Sequence, residues 1–287
     1  MSFDTRAVRR AFGRAAADYD DHAWLQAEVR GRLLERLDEI EIEPGVVLDL
    51  GCGTGRGAAA LKRRYRKAQV IGADLATPMV AEMRRRQSGW RRPLHGVVAD
   101  AARPPLARHS VDLVFANLTL QWCEQPEQVF STLCRVLRPG GVLLFSTFGP
   151  DTLGELRDAW SAVGGGRRTS EFIDLHTLGD WLIQTGYREP VMDAERITST
   201  YARVRDLLDE LKAIGASNAH TDRPRGLTTA TRLREMARAY EQFRTGAGLP
   251  ATWEVVYGMA RGPAEGQPVR TGQGEVASFS VDSLRRR

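Results

Sequence analysis

The stretch VVLDLGCGTG at residues 46–55 constrains the fold more than any other part of the sequence. An apolar run reaches an acidic residue, Asp49, and is followed by glycines on alternate positions, Gly51, Gly53 and Gly55. Glycine lets a backbone turn sharply and approach a ligand closely, because it has no Cβ. Amides at the start of a helix beginning near Arg56 would point into the same space. The segment therefore predicts a strand, a tight turn around a ligand, and a helix.

Strand-like and helix-like segments alternate along the chain, which is typical of parallel βαβ units. The predicted strands of the first half lie at 46–50, 69–73, 95–99, 111–116 and 141–148. The predicted helices between them lie at 56–66, 77–87 and 126–137. After residue 150 we expect helices at 151–163, 174–185, 203–214 and 230–244, and strands near 190–198 and 252–260. The pattern predicts an α/β fold.

Composition argues against several classes of protein. The apolar run at 141–148 is far shorter than the ~20 residues of a membrane-spanning helix. The three cysteines and five histidines are scattered without ligand-like spacing, so we expect no disulfide framework and no metal site. We expect a cytoplasmic protein that binds neither membrane nor nucleic acid. The net charge of +5 includes basic clusters at 62–67, 84–86 and 91–92, which are either solvated helix faces or a surface for an acidic partner.

Acidic residues close three successive predicted strands: Asp49, Asp74 and Asp100. The carboxyl ends of parallel strands meet at one edge of a sheet, where ligands of such folds bind. Asp74 can accept hydrogen bonds from ribose hydroxyls, and Asp100 can accept from the exocyclic amine of adenine. The three acids together predict a nucleoside-containing cofactor.

Two cofactors fit this arrangement. The glycine turn contains the dinucleotide pattern G-x-G-x-x-A, as Gly53, Gly55 and Ala58, so NAD(P) is one alternative. A carboxylate at Asp49 would repel a pyrophosphate on that turn, but it suits a ligand with an ammonium group. S-adenosylmethionine carries such a group, and the three acids together favour it.

Several stretches carry a family resemblance. VLDLGCGTG, GADLA, VVADA, VDLVFANLTLQWC and LRPGGVLLFSTF resemble the class I S-adenosylmethionine-dependent methyltransferases over residues 44–148. AFGRAAADYDDHAWLQ (11–26), NLTLQWC (117–123), DTLGELRDAW (151–160), LLDELKAIGASNAH (207–220) and PRGLT (224–228) are similar to the malonyl-[acyl-carrier-protein] O-methyltransferase family of early biotin synthesis. This closer resemblance runs from about residue 9 to 260, and it is specific because the fold does not require the flanking motifs.

The resemblance implies a Rossmann-like class I methyltransferase fold with a seven-stranded, mostly parallel sheet. The implied strand order is 3-2-1-4-5-7-6, with the seventh strand antiparallel. We expect a helical arm or lid at 1–43, a cofactor-binding core at 44–150, a substrate-binding helical insertion that completes the sheet at 151–261, and a disordered tail at 262–287. The arm is either a mobile lid or a helix packed permanently on the core.

The reaction that the resemblance implies is transfer of a methyl group from S-adenosylmethionine to the free carboxylate of a malonyl thioester. The thioester is carried by an acidic acyl carrier protein or by coenzyme A. A carboxylate with a pKa near ~4 is already ionised at neutral pH, so we predict no catalytic acid or base and expect positioning to supply the rate. The alternatives are a methyltransferase for a free small molecule and an NAD(P)-dependent dehydrogenase.

The predicted site residues lie at strand ends, in the arm and in the insertion. The cofactor residues are Asp49, Gly51, Cys52, Gly53, Gly55, Asp74, Leu75, Asp100, Ala101, Asn117 and Tyr19. The substrate residues are Arg225, Lys212, His220, Gln121, Trp122 and Tyr19. Arg225 is the first candidate for the malonyl carboxylate, because a planar guanidinium matches a carboxylate best.

Overall fold

The structure is a computed structural model that describes residues 4–86, 93–164, 171–216 and 228–264, together with the backbone of 269–271 and 274–276. None of the described helices combines the length and the apolar character that a bilayer-spanning segment needs. A central sheet with helices on both faces organises these residues.

Seven strands form the central sheet, and their order is β3-β2-β1-β4-β5-β7-β6. They are β1 (Val46–Leu50), β2 (Gln69–Asp74), β3 (Leu94–Val98), β4 (Val111–Asn117), β5 (Leu137–Phe148), β6 (Arg188–Tyr201) and β7 (Leu249–Arg261). The first five strands pair in parallel, whereas β7 is antiparallel to both β5 and β6. The predicted fold class and strand order are confirmed.

Ten α-helices lie in the described part of the chain. They are α1 (Thr5–Ala15), α2 (Tyr19–His22), α3 (Trp24–Glu35), α4 (Arg56–Arg64), α5 (Thr77–Arg86), α6 (Pro126–Val136), α7 (Gly154–Ala162), α8 (Leu175–Gln184), α9 (Val204–Ala213) and α10 (Ala230–Tyr240). Successive side chains of a strand point to opposite faces of a sheet. Accordingly Leu113 and Phe115 of β4 join one hydrophobic cluster, and Val114 and Ala116 join the other.

The N-terminal arm begins with α1, which Asp4 caps by accepting a hydrogen bond from the Ala7 amide at 3.0 Å. Farther along, Leu25, Val29 and Leu33 of α3 are almost fully buried in the main hydrophobic cluster. Helix α3 therefore packs on the core.

The segment RPGG at 138–141 lies between the predicted helix at 126–137 and the predicted strand at 141–148, but the structure includes it in β5. Strand β5 already begins at Leu137, which pairs with Val111, and the register shifts between Val111 and Leu113. A Cβ at Gly141 would lie 3.0 Å from the carbonyl oxygens of Arg138 and Asp112, so this position is crowded by backbone. These turn-like residues form an irregularity inside β5, because the buried residue Leu137 before them already pairs with β4.

The first residues of the segment predicted as a disordered tail, 262–264, contact the RPGG segment before the buried part of β5. The Gly262 amide donates to the Gly141 carbonyl at 2.7 Å, and the Gly140 amide donates to the Pro263 carbonyl at 3.3 Å. Two further strands, β8 (Val269–Thr271) and β9 (Gly274–Val276), pair with each other in antiparallel register. These backbone hydrogen bonds have no signal in the apolar periodicity of the sequence.

Candidate functional site

A cleft lies at the carboxyl edge of the parallel strands, and it consists of two neighbouring cavities. The first has a volume of about 450 Å³ and the second of about 250 Å³. The first extends past the ends of β2 and β4 toward α1 and α9, and the second lies between α3 and the glycine turn. Five residues line both cavities: Tyr19, Gln26, Gly51, Gly53 and Asn117. One elongated ligand can therefore occupy both cavities and pass these five residues.

The three glycines of the turn have positive φ angles, but they serve different purposes. A Cβ at Gly51 would lie 2.2 Å from Thr119 Oγ1, and one at Gly55 would lie 2.4 Å from Met83 Cγ. A Cβ at Gly53 would have nothing within 4 Å, so this glycine faces open space in the cleft. Gly51 and Gly53 line the cleft, as does Cys52 between them, whereas Gly55 packs against α5 instead.

Asp49 lies at the inner end of the second cavity and is 3 % exposed. Its Oδ2 atom is buried and has no hydrogen-bond partner among the described residues. Burial raises the pKa of Asp49 to about 7, although the Ala58 amide and the Arg30 guanidinium oppose this rise. An unpaired carboxylate oxygen in a desolvated position is costly unless a ligand with a donor reaches it.

One face of α3 supplies residues that the sequence analysis missed. Ala23, Gln26, Ala27 and Arg30 all line the second cavity. Gln26 Oε1 is a second buried acceptor without a partner, and the Arg30 guanidinium makes no hydrogen bond or ion pair with a described residue. Apolar and polar residues show little helical periodicity along α3, so the sequence offered no clear local signal for this face.

Asp74 ends β2 and connects it to the glycine turn. Its Oδ2 accepts from the Gly53 amide at 2.9 Å, and its Oδ1 accepts from the Ala76 amide at 2.8 Å. Burial raises the pKa of Asp74, and these amide hydrogen bonds oppose the rise. A carboxylate has about four acceptor positions, so lone pairs remain for ligand hydroxyls. Leu75 follows it and lines the first cavity, where it packs with α1.

Asp100 and Ala101 lie after β3 and border the same cavity. Asp100 is exposed, and its Oδ1 accepts from the Ala102 amide at 2.9 Å, which fixes the loop. The structure thus brings the loop that follows β3 to the cavity that also contains the end of β2.

Asn117 ends β4 and holds α3 against the sheet. Its Nδ2 donates to the Gln26 carbonyl at 3.0 Å, and its Oδ1 accepts from Ser146 Oγ at 3.0 Å. Gln121 is buried beside it, and its Nε2 donates to the Leu118 carbonyl at 2.8 Å. Both residues line the first cavity, but these hydrogen bonds engage much of their polar capacity.

Aromatic side chains from the arm cover the first cavity. Phe12 packs edge to face on Trp122, with ring centroids 5.1 Å apart, and lies 6.4 Å from the Tyr19 ring. Burial raises the pKa of Tyr19, and the Asp74 carboxylate adds to the rise. The phenol therefore stays protonated near neutral pH and is available as a hydrogen-bond donor.

The side chain of Asp20 binds helix α2 of the arm to the glycine turn through hydrogen bonds. It accepts from Thr54 Oγ1 at 2.7 Å and from Arg56 Nε at 3.0 Å, and it also pairs with Arg86. Burial raises its pKa, but the hydrogen bonds from Thr54 and Arg56 outweigh that effect and hold the pKa below its ordinary value. Asp20 therefore remains ionised and keeps Tyr19, its neighbour in sequence, over the cleft.

The predicted substrate residues of the insertion are only partly described. Lys212 is exposed on α9, while its neighbours Leu211, Ile214 and Ala216 line the first cavity. His220 and Arg225 lie outside the described residues. Phe148 and Trp253 complete the apolar wall on this side, with ring centroids 5.5 Å apart.

The residues present fit S-adenosylmethionine. Two buried acceptors without partners, Asp49 Oδ2 and Gln26 Oε1, border the second cavity and suit an ammonium group. Arg30 borders the same cavity and suits a carboxylate. Asp74 lies at the other end, in the first cavity, beside the open space at Gly53. A dinucleotide would instead need to place its pyrophosphate near the Asp49 carboxylate.

Comparisons with known proteins agree with this arrangement. A model of the methyltransferase domain matches residues 48–145. Among solved structures, the YcgJ protein of Bacillus subtilis has a TM-score of 0.56 at 16% identity, over 80% of this chain and 97% of that chain. A SAM-dependent methyltransferase from Thermotoga maritima has a TM-score of 0.52 at 17% identity, over 88% of this chain and 99% of that chain. These structures are similar in fold.

Curated relatives extend the similarity over the whole chain. The malonyl-[acyl-carrier protein] O-methyltransferase of Halorhodospira halophila is 46% identical over 100% of this chain and 97% of its own length. The enzymes of the same name from Methylovorus and Xylella fastidiosa are 47% and 45% identical, over 91% and 98% of this chain and 90% and 96% of their own lengths. The resemblance predicted from the sequence is confirmed: the chain belongs to the malonyl-[acyl-carrier protein] O-methyltransferase family.

Proposed function

We propose that this enzyme transfers a methyl group from S-adenosylmethionine to the free carboxylate of a malonyl group on acyl carrier protein, giving the malonyl methyl ester for biotin synthesis. The observation that carries the cofactor assignment is the pair of buried acceptors without partners, Asp49 Oδ2 and Gln26 Oε1, beside the glycine turn. The substrate assignment is supported by the relatives, which share nearly the full length of the chain.

The cleft residues would hold the cofactor in an extended orientation. Asp49 and Gln26 would accept from its ammonium, and Arg30 would donate to its carboxylate. Asp74 would accept from the ribose hydroxyls, and Asp100 would accept from the adenine amine. The bound cofactor supplies an electrophilic methyl group on a sulfonium. The five residues that line both cavities would then surround the sulfonium and its methyl group.

The protein's role in the methyl transfer is positioning and exclusion of water. The substrate carboxylate is ionised at neutral pH, so no residue has to remove a proton from it. Neither described cysteine of the cleft is a suitable thiol base, because burial raises the pKa of Cys123 to about 12 and that of Cys52 well above its ordinary value. Phe148, Trp253 and Leu211 form an apolar wall, which excludes water from a pair of opposite charges that neutralise each other during transfer.

The malonyl carboxylate also needs a partner of its own. We assign this role to Arg225, with Lys212 and His220 as the next candidates, and we place the substrate against Gln121, Trp122 and Tyr19. The apolar wall provides no charge for a carboxylate, and Arg103 is the arginine among the described residues that line the first cavity, so a cation from the insertion would supply the charge on this side. A guanidinium that contacts the non-reacting oxygen would orient the other oxygen toward the methyl group.

A methylation assay with labelled S-adenosylmethionine tests the proposal. Malonyl carrier protein is the substrate, acetyl carrier protein lacks the free carboxylate and is the control, and malonyl coenzyme A measures how much the carrier contributes. Mass spectrometry should find one methyl group on the malonyl carrier protein and none on the acetyl form. Transfer to neither malonyl thioester, or equal transfer to the acetyl form, would contradict the proposed reaction.

A titration addresses the cofactor class separately. Calorimetry should detect binding of S-adenosylmethionine and no comparable binding of NAD or NADP. Binding of a nicotinamide dinucleotide with similar affinity would contradict the cofactor assignment and favour an NAD(P)-dependent dehydrogenase. A free small malonyl compound that is methylated as efficiently as the carrier-bound group would favour the small-molecule alternative.

A further inference from the structure

Helix α1 has two faces of opposite character. Val8, Ala11 and Ala15 are buried, and Thr5 and Phe12 line the first cavity beside Val8. The opposite face carries the exposed residues Arg6, Arg9, Arg10 and Arg14. At 1.5 Å per residue, these four arginines span roughly 12 Å of helix axis. The helix contains no acidic residue, so its outer face is uniformly positive.

These arginines are free of intramolecular ion pairs with the described residues. All three arginines of the cluster at 84–86 are engaged within the protein, whereas in the cluster at 62–67 only Lys62 and Arg64 are. Arg64 pairs with Asp38, Arg85 pairs with Glu82, and Arg86 pairs with Asp20. Arg84 donates to the Gly96 carbonyl at 2.8 Å. An engaged arginine offers less charge to a partner, so α1 is a stronger candidate for a docking surface than the cluster at 84–86.

The position of α1 supports the same conclusion. Its buried side contacts the cleft, and a Cβ at Gly215 would lie 3.1 Å from the Ala11 carbonyl, so α1 meets the end of α9 directly. Lys212 lies one turn earlier on α9 and is also exposed. In contrast, α4 begins at the glycine turn and runs away from the cleft, so residues 62–67 lie near the opposite edge of the sheet, where β2 begins.

We infer that the arginine face of α1, formed by Arg6, Arg9, Arg10 and Arg14, is the docking surface for an acidic surface of the carrier protein. This inference rests on the proposed function. A substrate attached to a protein must place that protein beside the mouth of the cleft, and α1 forms part of that mouth. A positive face without acids selects a partner with negative charge and accelerates encounter with it.

The test replaces three arginines by glutamine in one variant, Arg6→Gln, Arg9→Gln and Arg10→Gln. Glutamine has a high helix propensity, so the helix should be retained. We expect the KM for malonyl carrier protein to rise roughly tenfold at low salt, because surface charges set the association rate. The KM for malonyl coenzyme A and the affinity for S-adenosylmethionine should change less than about twofold, since neither uses the outer face.

A matched variant carries Arg63→Gln, Arg66→Gln and Lys67→Gln on the exposed end of α4 and the following loop. It removes the same charge, and its KM for malonyl carrier protein should stay near wild type. An unchanged KM in the α1 variant, or an equal rise in the α4 variant, would overturn the docking surface. Activity of the wild-type enzyme on malonyl carrier protein in the same experiment shows that the proposed reaction itself stands.

Two further outcomes are decided by additional measurements. If the triple variant loses cofactor binding, the three single variants are measured instead, and a docking role requires each to raise the KM for the carrier without affecting the cofactor. If a labelled DNA duplex binds the wild-type enzyme more tightly than malonyl carrier protein does, and the triple variant loses that binding, the face is a nucleic-acid site and the inference fails.

Discussion

Replacement of Asp49 by asparagine should weaken cofactor binding and stabilise the ligand-free protein at the same time. Asparagine has nearly the same shape, so the glycine turn should be preserved. It removes the charge that the ammonium group of S-adenosylmethionine would contact at the unpaired Oδ2. Hydrogen bonds to charged groups contribute about 1.5–3 kcal/mol, so the Kd should rise roughly 10- to 150-fold.

The pH dependence gives this prediction its second part. A cationic ligand favours the ionised carboxylate, so wild-type affinity should rise as the pH increases toward about 7, the pKa of Asp49 in the folded protein. The Asp49→Asn variant has no carboxylate at this position, and its affinity should be nearly flat over the same range. Calorimetric titration with S-adenosylmethionine between about pH 5.5 and 7.5 measures both curves.

Stability should change in the opposite direction. The folded pKa of Asp49 is raised from 3.8 to about 7, so the favourable contribution of its protonated form is fully present below pH 3.8 and is lost as the pH rises through about 7. Above that pH, ionisation costs the folded state on the order of 4 kcal/mol, since each pH unit corresponds to about 1.36 kcal/mol. The asparagine variant avoids this cost, and its Tm should exceed that of wild type more at pH 8 than at pH 5.

Asp21, which is exposed beside Asp20, provides a control. The Asp21→Asn variant removes one carboxylate from the arm without changing the cleft. It should leave both the Kd and its pH dependence unchanged. The reasoning is refuted if Asp49→Asn binds S-adenosylmethionine as tightly as wild type, or if its affinity follows pH in the same way.

Three further substitutions separate the parts of the site. Asp74→Ala should weaken cofactor binding by roughly 1–3 kcal/mol, because the ribose hydroxyls lose a charged acceptor; an unchanged calorimetric Kd would remove Asp74 from the site. Arg30→Gln should weaken S-adenosylmethionine roughly tenfold but leave 5′-methylthioadenosine, which lacks the amino acid portion, unaffected; equal losses for both ligands would contradict this assignment. Arg225→Ala should lower methylation of malonyl carrier protein at unchanged cofactor affinity, and Arg225→Lys should recover little, because an ammonium cannot replace the planar fork; a normal rate in the alanine variant would move the carboxylate site elsewhere.

Local chemistry along the sequence was sufficient to predict the sheet and the acids at its edge. Asp49 and Asp74 lie at the ends of short apolar runs, and in a parallel sheet such positions meet at one edge whatever the helices between them do. The strand order came from the family resemblance, because the antiparallel position of β7 is not encoded by the apolar pattern of any one segment.

The residues that the sequence analysis missed belong to a distant segment. Arg30 and Gln26 reach the cleft only because α3 packs on the sheet, where the Gln26 carbonyl accepts from Asn117. A contact between residues 91 positions apart has no local sequence signal. In the same way, the RPGG segment has the composition of a turn, but pairing with β4 incorporates it into a strand. Tertiary contacts decided both cases.

The place of β7 in the sheet has a consequence for how the chain is made. This strand lies between β5 and β6, both of which are synthesised before it. Until residue 261 has emerged from the ribosome, the apolar interior strand β5 has an open edge, and such edges pair readily with other chains. The Trp253 wall of the cleft is also missing at that stage. The nascent enzyme therefore passes through a state with an unprotected β5 edge and an incomplete apolar wall, and only the last strand of the central sheet ends its exposure to aggregation.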